Sequence, residues 1–189
     1  VTGETITVSS PSGASGTGSP TVNRGGLQAG VNATAEWAGD VILGVDLARI
    51  GVQEGGTLTI SGNITDGANN FTLRLSGELT GTGGVILSGT GNAWDGQTEI
   101  VRGTVYLGAD NTLPSTAILD IHFTNSNNNE YAGVEMNGFN QMIGSLRNDG
   151  VTGTNAELKN SSRRLSTLTI NETGAANYTG ILTGNLAVV

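Results

Sequence analysis

The feature that most restricts this chain is the length of its apolar runs. From Thr80 to Gly108 there are three: Val85-Ile86-Leu87, Glu99-Ile100-Val101 and Thr104-Val105-Tyr106-Leu107. Glycine, Asn or Asp ends each within a few residues. Side chains of this kind favour extended backbone, and the punctuation reads as turns, so the pattern is strand, turn, strand. No run has the length or the 3.6-residue period of a helix. The same grammar recurs elsewhere. Thr57-Leu58-Thr59-Ile60 alternates cleanly, Phe71, Leu73 and Leu75 share one side of a strand, and Ser166-Thr167-Leu168-Thr169-Ile170 echoes the segment at Thr57. The echo points to stacked copies of one β unit.

Such runs suit one architecture better than another. An antiparallel sandwich is built from strands of about 5–6 residues joined by tight hairpins. Many runs here have three to five residues, and their linkers vary from short to long. A parallel β-helix needs only short strands, each pairing with the coil above and below, while turns of any length bulge outward. Asn and Gly suit its corners because both tolerate positive φ. The expected fold is therefore all-β, a parallel β-solenoid with short strands and Gly/Asn-rich turns; a β-sandwich is the alternative. Its inward ladder is expected to hold Leu58, Ile60, Leu73, Leu75, Ile86, Ile100, Val105, Ile118, Leu168 and Ile170.

Composition agrees with a thin core. Hydrophobic residues are 36% of the 189, and 31 are glycine, against a usual glycine share of about 7%. The net charge of −8 is spread without acidic runs, as on a solvated surface. The basic cluster Arg163-Arg164 is too small for a nucleic-acid footprint, so no nucleic-acid partner is expected. There is no cysteine, hence no disulfide and no thiolate metal site. No stretch approaches the ~20 apolar residues of a membrane helix, so no membrane insertion by this chain is expected. The first residue is Val1, without Met or signal peptide, which suggests a mature or excised piece.

Two domains are expected. Residues 1–30 form an N-terminal strand followed by a Ser/Gly/Pro-rich extension, and residues 31–189 form the solenoid. The strand Thr5-Ile6-Thr7-Val8 is cut off by that extension and has no obvious neighbour in its own fold. The chain closes on an apolar strand, Leu186-Ala187-Val188-Val189. Terminal strands of a solenoid leave backbone groups unpaired unless covered. Thr5, Ile6, Thr7, Val8, Leu186, Ala187, Val188 and Val189 are thus the candidate interface residues, through which copies of the chain could join by strand addition into filaments or layers.

The stretch Leu87-Ser88-Gly89, then Asn92-Ala93-Trp94-Asp95-Gly96-Gln97-Thr98-Glu99-Ile100-Val101-Arg102-Gly103-Thr104-Val105-Tyr106-Leu107-Gly108, resembles the passenger-associated strand repeat of autotransporters. Trp94 takes the aromatic place of that pattern, Gly96 its glycine and Gly103-Thr104 its Gly-Thr step. Flanks resemble it too: Asp40 to Gly44 with Gly56 to Gly62 before, and Met136-Asn137-Gly138-Phe139-Asn140-Gln141-Met142-Ile143-Gly144-Ser145-Leu146 after. The likeness covers about residues 33–189. One departure is the lead-in Leu79-Thr80-Gly81-Thr82-Gly83-Gly84, which lacks the usual lysine. The resemblance implies a secreted or surface-exposed right-handed parallel β-helix of the kind that forms stalks and adhesive shafts on bacteria. It supplies no catalytic residues.

Candidate sites are few. His122 is the single histidine and has no partner nominated by spacing, so it reads as a surface or strand-end residue. Asp95, Glu99 and Asp120 would be the carboxylates of a carbohydrate-cleaving enzyme, if two faced each other across a substrate. Asn125-Ser126-Asn127-Asn128-Asn129 with Glu130 has too few carboxylates for calcium. Trp37, Trp94, Tyr106, Tyr131 and Tyr178 would form a sugar-binding platform if they shared one face. Six Asn-x-Ser/Thr sequons begin at Asn32, Asn63, Asn70, Asn160, Asn171 and Asn177, a number expected by chance in so Asn-rich a chain. The leading function is a structural extracellular β-solenoid at a bacterial surface, building a stalk, fibre or layer. An adhesin binding surface glycans is the alternative, and a polysaccharide-degrading enzyme the third. No enzyme activity, cofactor, catalytic residue or metal site is expected.

Overall fold

A computed structural model describes residues 3–10, 25–77, 83–122, 131–148, 155–172 and 177–189, and within them the chain is all strand and turn. The short runs become strands laid down three to a circuit. β1 (Ile6–Val8) comes first. β2 (Leu27–Ala29), β3 (Thr34–Trp37) and β4 (Val41–Leu43) complete one coil, and β5 (Ala48–Val52), β6 (Thr57–Ile60) and β7 (Ile64–Thr65) the next. β8 (Leu73–Ser76) and β9 (Gly84–Leu87) give two sides of the third, and β10 (Thr98–Leu107) alone covers two sides of the fourth. β11 (Ile118–Ile121), β12 (Ala132–Glu135) and β13 (Gln141–Ile143) follow, then β14 (Ser145–Arg147), β15 (Ala156–Asn160) and β16 (Ser166–Ile170). β17 (Ile181–Gly184) and β18 (Leu186–Val188) lie on the last coil.

Every strand pair among the described residues is parallel and joins one coil to the next. Hairpins of a sandwich would be antiparallel, so the fold is a parallel β-solenoid, of about six turns. Three faces result. Face I stacks β2, β5, β8, the first half of β10, β11 and β14; face II stacks β3, β6, β9, the second half of β10, β12, β15 and β17. Face III holds β1, β4 and β7 at one end and β13, β16 and β18 at the other.

The core is the set of inward ladders. On face II, Ala35, Leu58, Val85, Val105, Val134, Leu158 and Leu182 stand one above the next. On face I, Ile50, Leu75, Ile100 and Ile121 do the same. The coil length between rungs varies from 20 residues (Val85 to Val105) to 29 (Val105 to Val134), because turns absorb the difference. Each fully buried Leu, Ile or Val is worth about 1.5–3 kcal/mol.

Several expectations need correction. Ile86 points outward beside Tyr106, while Val85 and Leu87 are buried. In a run of three apolar residues the period of two buries either the middle one or its two neighbours, and two outweigh one. Ile118 is half-exposed for the same reason, with Leu119 and Ile121 inward. Ile170 packs against the core but is only half-buried. The runs at Glu99 and Thr104 are one strand, bent across a corner by a bulge between Ile100 and Arg102 and by Gly103, whose φ is 62°. The echoing segments at Thr57 and Ser166 lie on different faces, so they share strand grammar and not a repeat position. β1 does have a neighbour in its own fold: Ile6, Thr7 and Val8 pair with Val41, Ile42 and Leu43.

Among the described residues, face III has no strand between β7 and β13, and one isolated bridge joins Thr65 to Ala93. Side-chain amides take over the missing ladder. Asn92 accepts from the Ile64 N–H at 2.6 Å and donates to the Thr112 carbonyl at 2.6 Å. Gln141 is 2% exposed, accepts from the Leu113 N–H and donates to the Leu113 carbonyl. These bonds satisfy buried backbone groups that would otherwise be orphaned.

At the corner from face II to face III the coils approach closely through a glycine column. A Cβ on Gly62 would lie 1.9 Å from the Gly39 carbonyl oxygen, and one on Gly89 would lie 2.3 Å from that of Gly62. Gly62→Ala should therefore lower the unfolding free energy by about 2 kcal/mol or more in a denaturant titration. Gly30→Ala, whose Cβ meets nothing within 4 Å, should change it by less than about 0.5 kcal/mol. Equal effects at the two positions would refute the close approach.

Candidate functional site: the charged column of face I

Period-two alternation puts every second residue of face I outward, and stacking brings those residues into one column. Arg49 pairs in register with Arg74, Arg74 with Glu99, Glu99 with Asp120, and Asp120 with Arg147. Strands on adjacent coils are about 4.8 Å apart, so each charge meets the ones above and below it. Arg74 Nε pairs with Glu99 Oε2. His122, at the end of β11, places Nδ1 3.1 Å from Asp120 Oδ2. Arg147 approaches Glu172 Oε1 at 3.6 Å and donates to Ser145 Oγ. Arg49 donates from Nε to Ser76 Oγ at 2.9 Å.

Two of the three candidate carboxylates, Glu99 and Asp120, are thus side by side, as a two-carboxylate reaction would need. Their surroundings give them a different task. Glu99 is 8% and Asp120 4% exposed; Arg74 pairs with the first, and the His122 ring lies 3.1 Å from the second. A general acid or nucleophile must reach a substrate; these groups reach Arg74 and His122. Asp95 lies apart, exposed at the turn after Trp94, where its N–H donates to Asp66 Oδ2 at 3.2 Å. The arrangement acts as an electrostatic zipper between coils. Each buried charge carries a partner, and removing one partner leaves the other uncompensated.

His122 is half-buried rather than a plain surface residue. The Asp120 carboxylate beside its Nδ1 raises its pKa above the ordinary 6.5. Burial opposes that, the charges of Asp120 and Glu99 add to it, and Arg74 reduces it. The signal that could have revealed the column is a spacing of 25, 25, 21 and 27 residues from Arg49 through Arg147. It is irregular, and only the coil lengths explain it.

The aromatic residues do not form one platform. Trp94 is in the core, 1% exposed, and its indole N–H donates to Thr98 Oγ1 at 3.0 Å. It is a packing residue between coils rather than part of a sugar-binding face. Trp37 is half-buried on the first full coil. Tyr106 and Tyr131 lie on the outside of face II, and Tyr178 on the last coil. The Tyr131 hydroxyl donates to Glu157 Oε2 at 2.7 Å, Thr183 Oγ1 donates to Glu157 Oε1 at 2.7 Å, and Lys159 sits 5.7 Å above the Tyr131 ring. Burial, then the Glu157 partner, pushes the Tyr131 hydroxyl far up. Burial alone would raise Glu157, but donation from Tyr131 and Thr183 and the charge of Lys159 outweigh it and hold the carboxylate low. The Tyr178 hydroxyl donates to the Ala156 and Ile181 carbonyls.

The sequons at Asn63 and Asn160 begin at amides already used between coils: Asn63 accepts from Gly91, and Asn160 donates to the Arg164 and Asn185 carbonyls. The Asn125–Asn129 loop and Glu130 lie outside the described residues. Among those described, no group of three or more His, Asp or Glu residues could hold a metal ion.

Comparison with known proteins gives one relevant likeness. Over 138 residues the chain is 30% identical to an adhesin, BmaC autotransporter, of Brucella suis biovar 1 (strain 1330). The match covers 69% of this chain and 4% of that much longer protein. No protein-family model matches the chain, and no solved structure matches it.

The His122–Asp120 pair makes stability depend on pH. The folded pKa of His122 lies above the unfolded one, so its contribution is fully present below about pH 6.5 and fades as pH rises through the folded value. The melting temperature should fall between about pH 6 and pH 8, and His122→Gln should flatten that slope. A slope unchanged in the variant would assign it to other groups.

Proposed function

We propose that this chain is a segment of the rigid shaft of a bacterial surface adhesin, a spacer that holds other parts of a larger protein away from the cell. The observation that carries this reading is the use of side chains. The Arg74–Glu99 pair, the Tyr131 hydroxyl and corner amides are occupied in contacts from one coil to the next. Such a surface is built for stiffness along the axis rather than for turnover. The likeness to an autotransporter adhesin supports extracellular display. With about six turns at ~4.8 Å each, the stack extends the shaft by ~30 Å.

A spacer can be tested by insertion. Placed between an anchored surface protein and an epitope, the chain should raise the epitope by ~30 Å, as read by fluorescence quenching from the membrane. The purified chain should bind no glycan on an array above background and release no reducing sugar from common polysaccharides. An unchanged epitope height would reject the spacer. Saturable glycan binding lost in Tyr106→Ala and Tyr131→Ala would replace it with the binding module. Sugar release lost in Glu99→Gln or Asp120→Asn would replace it with an enzyme.

A further inference from the structure

Most cations of this chain are built into the ladders. Among the described residues, Arg49, Arg74, Arg102, Arg147 and Lys159 lie in β5, β8, β10, β14 and β15 and are half-buried. Arg163 and Arg164 differ. They sit on the corner loop of residues 161–165, between β15 and β16, and both are exposed. Leu165 beside them is 53% exposed. Exposed loop tips are where proteases nick a folded chain. A serine protease of trypsin specificity has an acidic pocket for an arginine just before the bond it cuts.

The side chains of this loop fit such an enzyme, and its backbone does not. A protease takes its substrate as an extended strand and pairs with its N–H and C=O groups. It draws the carbonyl oxygen of the bond to be cut into an oxyanion hole. Here both carbonyls that matter are already taken. The Arg164 carbonyl accepts from Asn160 Nδ2 at 2.7 Å, and the Arg163 carbonyl accepts from Asn185 Nδ2 at 2.9 Å. The Arg164 N–H donates to Ser162 Oγ at 3.1 Å, two residues back, which holds the loop as a turn. The Ser161 N–H donates to Glu135 Oε1 at 2.9 Å and the Ser162 N–H to Asn160 Oδ1 at 3.2 Å. Asn160 is 1% exposed and uses its oxygen and its nitrogen twice each, since it also accepts from the Gly138 N–H and donates to the Asn185 carbonyl. The loop is thus tied to the preceding coil through Glu135 and Gly138, and to the following coil through Asn185.

We propose that residues 161–165 form a latent cleavage site for arginine-specific serine proteases, latched by Asn160 and Asn185. Asn160 guards the Arg164–Leu165 bond, and Asn185 guards the Arg163–Arg164 bond. Cleavage of the first adds one water across the peptide bond and leaves a carboxylate on Arg164 and an amine on Leu165. The protease supplies the nucleophile and moves the protons. Its rate follows the population of the open loop, and the two latches set that population. A cut does not dismantle the stack. Residues 165–189 stay joined to the rest through β16 on β13 and β17 on β15. The inference rests on the loop and its neighbours and is independent of where the chain is displayed.

Limited digestion with trypsin, mapped by mass spectrometry, tests it. The unaltered chain should be cut only slowly within residues 161–165. Asn160→Ala should raise that rate at least about tenfold, with the cut after Arg164. Asn185→Ala should raise it as well, with the cut after Arg163. Arg49, Arg74 and Arg102 should stay uncut in both, because opening the loop leaves the ladders closed. Adding Arg163→Gln and Arg164→Gln to Asn160→Ala should restore resistance. Circular dichroism checks that the strands persist. Should Asn160→Ala unfold, Asn185→Ala decides, since its side chain is tied to the loop through the Arg163 carbonyl. An unaltered chain cut in the loop as fast as the variants overturns the proposal. So does a folded Asn185→Ala chain that stays uncut there, or one cut equally at the strand arginines. The same bond cut in both folded variants overturns the assignment of one carbonyl to each asparagine.

Discussion

Register between coils is the constraint on which the rest of this structure depends. A parallel strand pair fixes which residue lies above which, and a slip by one would turn every inward side chain outward. Here the register of face II runs from Ala35 to Leu182 without a break, although the coils differ in length. The ladder tolerates such variation because the strands alone carry the pairing and the turns project outward. Irregular spacing in the sequence and a regular column in the fold are thus the same fact seen twice.

Where strands fail, polar side chains maintain the register. Among the described residues face III has no ladder between β7 and β13, and Asn92 and Gln141 supply donors and acceptors to the backbone of neighbouring coils. Asn160 does likewise at the next corner, taking the Gly138 N–H at 2.9 Å and donating to the Asn185 carbonyl at 2.6 Å. An amide carries both a donor and an acceptor, so one side chain can reproduce half of a strand pair. Glycines at Gly39, Gly62 and Gly89 allow the backbone to come close enough for that chemistry at a corner. The Asn and Gly content of this chain is a structural inventory before it is a sign of loops.

Much of the architecture was legible in the sequence, and the reasons are local. Leu58 and Ile60 alternate with threonine, so both the strand and its buried side could be read directly, and the structure agrees. Gly103, where a turn was legible between two apolar runs, bends β10 across a corner. Failures arose where local information is symmetric. Val85-Ile86-Leu87 offers no polar residue to orient it, and Ile86 was assigned to the wrong side. The partner of β1 was invisible because Val41 is 35 residues away from Ile6, across a stretch of serine and glycine. The charged column was invisible for the same reason: Glu99 is recognisable as a lone carboxylate, but its meeting with Arg74 and Asp120 depends on two coil lengths that no local pattern states.

The inter-coil register also decides where function can reside. Any outward residue in a face has neighbours about 4.8 Å above and below it. In such a column opposite charges neutralise one another, as Arg74 and Glu99 do, and hydroxyls find carboxylates, as Tyr131 finds Glu157. A stacked face therefore tends to consume its own reactive groups. Groups escape this at corner loops. Asp40, Arg163 and Arg164 are exposed for that reason. A solenoid of this kind interacts with the world mainly along its corners, because its faces are already occupied with holding coil to coil.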